Sequence, residues 1–144
     1  YNILDTKKVV YDSLTGISQV NLINAVNGIS YYIEVQHRNS IATWSSAPVL
    51  CSGNVMSFDF TTAVSQAYGS NQILVGGIPS IYTGDINNDG YVNVADFITI
   101  YNDESSFVNG PYVTTDLNFD GLVDILDVLA AYNNSALFVT VQRP

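Results

Sequence analysis

The stretches DINNDGYVNVAD (residues 85–96) and DLNFDGLVDILD (residues 116–127) decide how this chain is organised. The second begins 31 residues after the first (116 − 85), and the match continues downstream without a gap. Phe107, beyond the first stretch, aligns with Phe138, beyond the second. Self-similarity at a fixed offset indicates that one supersecondary unit is used twice.

Oxygen-bearing side chains recur at the same positions in both stretches. Each stretch has the form Asp-x-Asn-x-Asp-Gly-x-Val-[Asn/Asp]-x-x-Asp, with side-chain oxygens at positions 1, 3, 5, 9 and 12. Calcium takes about six to eight oxygen ligands at flexible angles, and this spacing allows one short loop to surround it. The glycine at position 6 fits such a loop, because the sharp turn there requires a left-handed backbone. The pattern therefore predicts two calcium ions, one in each loop.

The same kinds of ligand are predicted in the two loops, and position 7 contributes its backbone carbonyl. Seven of the 13 acidic residues lie in these loops, where they would repel one another without a cation. Magnesium fits less well because it requires a near-ideal octahedron, and zinc because neither loop contains His or Cys. Runs of Asp, Asn and Gly also form ordinary turns, but turns do not require two complete matches at a fixed offset. The predicted ligands are Asp85, Asn87, Asp89, Tyr91, Asn93 and Asp96 in the first loop, and Asp116, Asn118, Asp120, Leu122, Asp124 and Asp127 in the second.

A short amphipathic helix is predicted after each loop, because apolar residues recur three and four positions apart. We expect the two apolar faces to pack against each other. No entering helix is predicted before either loop, since Pro79 and Pro111 interrupt the preceding segments. The predicted apolar faces are Phe97, Ile98 and Tyr101 in the first helix, and Val128, Leu129 and Tyr132 in the second.

A duplicated loop and exit helix without an entering helix resembles a dockerin, over roughly residues 82–138. The resemblance implies a module that folds with calcium and docks onto a cohesin. The two positions before the last ligand often hold Ser or Thr in cellulosomal dockerins, where they contact the cohesin. Here they are Val94-Ala95 and Ile125-Leu126. The departure concerns the cohesin partner and leaves the predicted metal ligands intact.

The preceding residues, 1–79, are predicted to form an all-β sandwich domain, followed by a dockerin-like calcium-binding domain at 80–144. Short strand-like runs separated by turn signals are typical of an antiparallel sandwich or small barrel. Alternation is clearest in residues 55–60, where every second side chain is apolar. The glycines at 76–77, followed by Pro79, mark the expected boundary. The predicted strands are residues 8–11, 19–24, 31–36, 41–44, 55–60 and 72–75.

The segment Tyr31–Ser40, followed by Thr43-Trp44, resembles a cassette at the C-terminal end of large secreted bacterial proteins. In that cassette a small Ig-like sandwich, similar to transthyretin-like or collagen-binding B-type domains, precedes dockerin-like repeats. Such sandwiches have about seven strands, and six are predicted here. Three explanations stay open: an unrecognised strand, a sequence that begins inside the domain, or a strand supplied by another chain through strand addition.

Composition excludes several classes of protein. The chain has 4 Lys plus Arg against 13 Asp plus Glu, a formal net charge of −9, which argues against a nucleic-acid partner because phosphate binding requires clustered cations. No apolar run approaches the roughly 20 residues of a spanning helix, so no membrane span is predicted. The single cysteine, Cys51, excludes an intrachain disulfide. Abundant Asn, Ser, Thr, Tyr and Gly favour an extracellular or cell-surface β module.

No catalytic constellation is recognisable. His37 is the sole histidine and Cys51 the sole thiol, and neither a Gly-x-Ser-x-Gly elbow nor a phosphate loop is present. We therefore predict a non-catalytic, calcium-stabilised assembly module, an attachment or filament subunit that contacts a protein partner or itself by strand addition or a helix face. Two alternatives stay open: a dockerin that binds a cohesin, and a carbohydrate-binding module that stacks sugars on Trp44 and tyrosines. Asn133-Asn134-Ser135 matches the glycan acceptor pattern, so a glycan is a further open alternative.

Overall fold

The computed structural model of the chain describes residues 2–10, 12 and 15–144. Over these residues it contains short antiparallel strand pairs and two α-helices. The first strand pairs with the fourth, the second with the third and the fifth with the sixth. The elements are β1 (Ser30–Tyr31), β2 (Glu34–Val35), β3 (Thr43–Trp44), β4 (Val49–Leu50), β5 (Ile73–Val75), β6 (Ile78–Ser80), α1 (Val94–Ser105) and α2 (Ile125–Ala136).

The predicted β-sandwich is wrong. Each strand pair stands as a separate two-stranded ribbon, and no face-to-face packing of two sheets is seen in the described residues. A sheet forms a domain only when a second layer covers its apolar face. We call the described residues before position 84 the N-terminal half. Ile17, Ile23 and Val26 in this half are all more than half exposed, so no second layer covers these apolar side chains. Without an open sandwich, a missing strand gives no reason to expect strand addition.

The individual predicted strands have mixed outcomes. The predicted strand 31–36 contains β2 and the second residue of β1. The predicted strand 41–44 contains β3, and 72–75 contains β5. Residues 8–10, 19–24 and 55–60 are described and contain no named strand, and Tyr11 lies outside the described residues. In the last of these runs, Phe58 and Phe60 pack on each other edge to face, with ring centroids 4.7 Å apart. Their alternation reflects this local contact and not a sheet.

The glycine-rich stretch expected to mark the domain boundary contains the turn of the hairpin that joins β5 to β6. Gly76 and Gly77 both have positive φ, 59° and 86°, which is the arrangement of a two-residue type I′ turn. Residues with a Cβ resist this backbone conformation. The division of the chain at residue 79 stays a prediction.

The two loops and their helices form one compact unit, residues 84–141, which we call the loop–helix unit. Its core contains the buried side chains of Ile100 from α1 and Val128 and Ala131 from α2, together with Leu117 and Val123 from the second loop. The predicted apolar faces are partly wrong, because Ile98 and Leu129 are half exposed, and so are Tyr101 and Tyr132. Ile100 and Ala131, each two residues further along its helix, take the buried positions.

The two repeats complete each other. The Val123 N–H in the second loop donates to the Val108 carbonyl after α1 (3.0 Å), and the Val92 N–H in the first loop donates to the Val139 carbonyl after α2 (2.9 Å). The two donors are 31 residues apart (123 − 92), and so are the two acceptors (139 − 108), which is the offset of the repeat. Each loop is therefore paired with the tail of the other repeat.

A smaller apolar cluster joins the N-terminal half to this unit. Ile41 is fully buried and packs with Val92 and Val139, and Tyr82 covers the cluster in part. The Ile41 N–H also donates to the Tyr82 carbonyl (3.1 Å). Among the residues described, no helix is long and apolar enough to cross a membrane.

Candidate metal centre

Position 1 of each loop is held at the centre of the loop by backbone amides. The Asp85 carboxylate accepts hydrogen bonds from the N–H groups of Asp89 and Gly90, both at 3.0 Å. In the second loop the Asp116 carboxylate accepts from Phe119 (2.7 Å) and Gly121 (3.0 Å). Gly90 and Gly121, at position 6, have φ of 88° and 89°. The turn that directs the N–H of each glycine toward position 1 therefore requires a left-handed backbone.

Position 12 ties the start of each loop to its helix. Asp96 accepts from the Ile86 N–H with one oxygen (3.1 Å) and from the Asn93 N–H with the other (3.0 Å). The equivalent Asp127 accepts from the Leu117 N–H (2.7 Å) and the Asp124 N–H (2.9 Å). Each of these aspartates is the third residue of its helix and completes a capping box.

Position 9 supplies the other half of the capping box. The side chains of Asn93 and Asp124 accept from the backbone N–H groups of Ala95 and Leu126, each at 2.8 Å. Asn and Asp are preferred at this site because they satisfy an otherwise unpaired N–H of the first turn. The residues that start the helices are thus predicted metal ligands as well.

Positions 3 and 5 form an identical pair of contacts in the two loops. Asn87 donates from Nδ2 to Asp89 Oδ2, and Asn118 donates to Asp120 Oδ2, both at 3.0 Å. The other oxygen of each aspartate accepts from the position 7 N–H, of Tyr91 and Leu122 respectively, at 2.9 Å. These positions are exposed, whereas positions 1 and 12 are buried.

The buried carboxylates lack a cationic partner within their own loops. Asp85 and Asp96 are each 1% exposed, Asp116 is 2% and Asp127 is 0% exposed, and neither loop contains Lys or Arg. Burial of an ionised carboxylate is unfavourable unless hydrogen bonds or opposite charge compensate for it.

The unfavourable burial of charge affects the pKa of Asp85. Burial raises that pKa above its ordinary value, and hydrogen bonds from the N–H groups of Gly90 and Asp89 oppose the rise. Repulsion by the carboxylates of Asp96 and Asp89 raises the pKa further. The first loop is therefore an anionic site whose charge the protein itself only partly compensates.

The carboxylates by themselves do not make a complete site. In the described part of the chain, no group of three or more His, Cys, Asp or Glu side chains is arranged to hold a metal ion. Each carboxylate oxygen has two lone pairs, so an oxygen that accepts one N–H keeps a further acceptor site. Asp127 Oδ1 already accepts from the N–H groups of Leu117 and Asn118, so at this residue only Oδ2 keeps such a site. The amide oxygens at position 3 and the carbonyl at position 7 would have to contribute too. This donor set, composed only of oxygen, suits a hard cation such as calcium and not zinc.

Comparison with known proteins finds no matching family model, no matching curated protein and no matching solved structure. The loops are consequently interpreted from their own geometry and chemistry.

Position 4 of each loop was missed by the sequence analysis. Asn88 and Phe119 have left-handed backbones, with φ of 58° and 65°, and both contact a segment of the N-terminal half. Asn often adopts this conformation, whereas a bulky Phe resists it. The repeat alignment places these two residues together, but their side chains differ, so spacing alone indicated no shared role.

Proposed function

We propose that each loop binds one calcium ion and that the chain is a non-catalytic, calcium-stabilised structural module of an extracellular or cell-surface assembly. The observation that supports the proposal most is the burial of the carboxylates at positions 1 and 12 in both loops. Backbone N–H groups of the same loop orient them through hydrogen bonds, and no basic residue of either loop neutralises them. A doubly charged ion would compensate for this buried charge.

The proposed ligands combine side chains and one carbonyl per loop. Positions 1, 3, 5, 9 and 12 would provide side-chain oxygens, and Tyr91 and Leu122 at position 7 would provide their carbonyls. Two bound ions would change the formal net charge from −9 to −5 (−9 + 4). Since positions 9 and 12 also cap α1 and α2, an ion would link loop closure to helix formation.

The proposed role is structural because the ligands belong to the fold itself. An ion that binds only the folded state stabilises it by RT ln(1 + [Ca]/Kd), about 2.7 kcal/mol when its concentration is a hundred times Kd. The sole imidazole and the sole thiol have structural surroundings: His37 Nδ1 is hydrogen-bonded to Asn39 Oδ1 (2.8 Å), and Cys51 is buried.

Calorimetric titration with calcium tests the stoichiometry. We expect two ions per chain for the native sequence and one for Asp85→Ala or Asp116→Ala. Asp59→Ala is the matched control, because Asp59 is exposed and lies outside both loops. A chain that takes up no calcium, or that keeps two ions after both loop substitutions are combined, would exclude the proposal.

Terbium luminescence distinguishes the two loops. Tyr91 at position 7 would lie beside an ion in the first loop and transfer excitation energy to terbium, whereas the second loop has Leu122 there. Tyr91→Phe should remove most of the sensitised emission while the total amount of bound ion stays at two. Unchanged emission in that variant would place the ion elsewhere.

Docking of a protein partner through the helices is a second candidate function. Val94, Ile125 and Leu126, at positions 10 and 11 of the loops, are all more than half exposed, and so are Tyr101 and Tyr132. Exposed apolar side chains at the starts of two neighbouring helices are a surface that a protein partner would cover. A binding assay against a panel of cohesins tests this candidate, with Leu126→Asp expected to abolish any interaction and Asp59→Ala expected to preserve it.

A further inference from the structure

A short segment of the N-terminal half contacts both loops. We call residues 36–41 the strap. On the side of the first loop, Gln36 Nε2 donates to Asn88 Oδ1 (2.9 Å), and Asn88 Nδ2 donates back to the Arg38 carbonyl (3.3 Å). The Gly84 N–H, just before position 1, donates to the Asn39 carbonyl (2.7 Å). The strap therefore fixes both the entry to the first loop and its position 4.

The same strap reaches the second loop through one buried side chain. Asn39 is 0% exposed, and its amide nitrogen donates to the carbonyls of Thr114 (3.1 Å) and Asp116 (3.0 Å). Its amide oxygen is paired with His37 Nδ1. All the hydrogen-bonding groups of this amide thus have partners, and a fully paired buried amide permits a single orientation.

Position 4 of the second loop packs on the strap as well. The Phe119 ring meets His37 edge to face, with centroids 5.2 Å apart, and the Arg38 guanidinium carbon lies 5.1 Å from the Phe119 ring centroid. Phe119 has φ of 65°, a conformation that a bulky residue adopts only when its surroundings impose it. The contacts with the strap are suited to hold it there.

From these contacts we infer that the strap couples the two loops, with Asn39 as the positioning residue. Asn39 contacts the entry to the first loop through its carbonyl and position 1 of the second loop through its amide. Loosening either loop therefore removes contacts that orient the other, and it also releases the N-terminal half. In terms of the proposed function, on which this part rests, an ion in one loop raises the affinity of the other loop for its ion.

Coincidence of unfolding tests the coupling without any metal. Trp44, the sole tryptophan, lies in β3 and reports on the N-terminal half, whereas far-ultraviolet circular dichroism reports on α1 and α2. We expect coincident thermal transitions for the native sequence. In Asn39→Ala we expect two separate transitions and a lower helix midpoint, by about 4–10 °C.

Two further variants make this result interpretable. Asn102→Ala, the same substitution at an exposed position of α1, is the matched control and should leave the transitions coincident. Arg38→Ala removes the guanidinium contacts with Phe119, Tyr112, His37 and the Val113 carbonyl but leaves the Asn39 amide in place. It should therefore separate the transitions less, which keeps the test valid if Asn39→Ala fails to fold. Separate transitions in the native sequence, or an Asn39→Ala chain that behaves like Asn102→Ala, would overturn the inference.

A mutant cycle tests the linkage between ions. Terbium affinity of the first loop, measured through Tyr91, should fall at least about fivefold when Asp116→Ala disables the second loop. In the Asn39→Ala background the same change should have less than a twofold effect. An equal effect in both backgrounds would refute coupling through Asn39. Failure of the proposed function looks different: no terbium binds in any variant, while the unfolding experiment still decides about the strap.

Discussion

The loop–helix unit and the N-terminal half of this protein have similarly short elements but very different internal order. In the unit, hydrogen bonds recur at a fixed offset, as in the position 6 N–H groups of Gly90 and Gly121, both 3.0 Å from the aspartate at position 1. In the N-terminal half, strands of two or three residues pair in isolation, and apolar residues such as Val10 and Ile23 are largely exposed. The contrast shows that local side-chain to backbone bonding can define a fold where long-range strand pairing does not.

Removal of calcium should change this comparison most. Two ions, each at a hundred times its Kd, would contribute about 5 kcal/mol in total, so we expect a chelator to lower the melting temperature by about 10–20 °C. Scanning calorimetry with and without chelator measures the shift. An identical melting curve in both conditions would remove calcium from the stability of the unit.

Core truncation should separate the two regions next. Ile100→Ala opens a cavity at a fully buried site of the unit and should lower the free energy of unfolding by about 2–5 kcal/mol. Val55→Ala, at a position 63% exposed in the N-terminal half, should change it by less than about 0.5 kcal/mol. Denaturant titration compares the two variants, and equal losses would contradict the assignment of the core to the unit.

The pH dependence of the metal-free protein should reveal the buried charge of the first loop. The pKa of Asp85 is raised in the folded chain above its ordinary 3.8, so the folded state binds this proton more tightly than the unfolded state does. The contribution of Asp85 to the free energy of unfolding therefore falls as pH rises from about 3.8 through the raised pKa. Asp85→Asn should remove that slope, as measured by urea unfolding of the metal-free protein at a series of pH values. A steeper slope in the variant would contradict the sign.

Replacement of one hairpin glycine should have only a small effect. Gly77→Ala places a Cβ on a residue with φ of 86° and with open space around it, so only backbone strain of about 1 kcal/mol is expected. The matched change at the loop glycine, Gly90→Ala, should cost more, because the added Cβ would lie 3.0 Å from Val141 Cγ1. Thermal melts of both variants test this order.

Sequence alone could predict the parts of the structure that depend on local spacing. The repeated oxygen-bearing positions and the glycines depend on contacts within a few residues. The helices were expected after the loops, but they begin inside them, at position 10, because Asn93 and Asp124 cap them. The sandwich failed because alternation in a short run reports only which side chains share a face. Whether Phe58 and Phe60 belong to a sheet depends on a partner strand far away in the chain.

The strap could not be predicted from the sequence either, because its contacts also depend on residues far away in the chain. Asn39 follows a predicted strand and looks like an ordinary turn residue, and its bonds to Thr114 and Asp116 span 75 and 77 positions. Position 4 gave only a weak signal. Asn88 in the first copy is a residue type that often adopts a left-handed backbone, whereas Phe119 in the second copy is not, although both adopt it in the structure. Only the folded chain brings these residues together.

The reciprocal pairing of Val92 with Val139 and of Val123 with Val108 limits how such a unit can grow. The loop of each copy donates a backbone N–H to a carbonyl that follows the helix of the other copy. The two copies therefore satisfy each other's backbone groups and form a closed pair. Solenoid repeats, in contrast, leave an end to which a neighbour can be added. An inserted third copy would meet no vacant edge here, so this architecture fixes the number of copies at two.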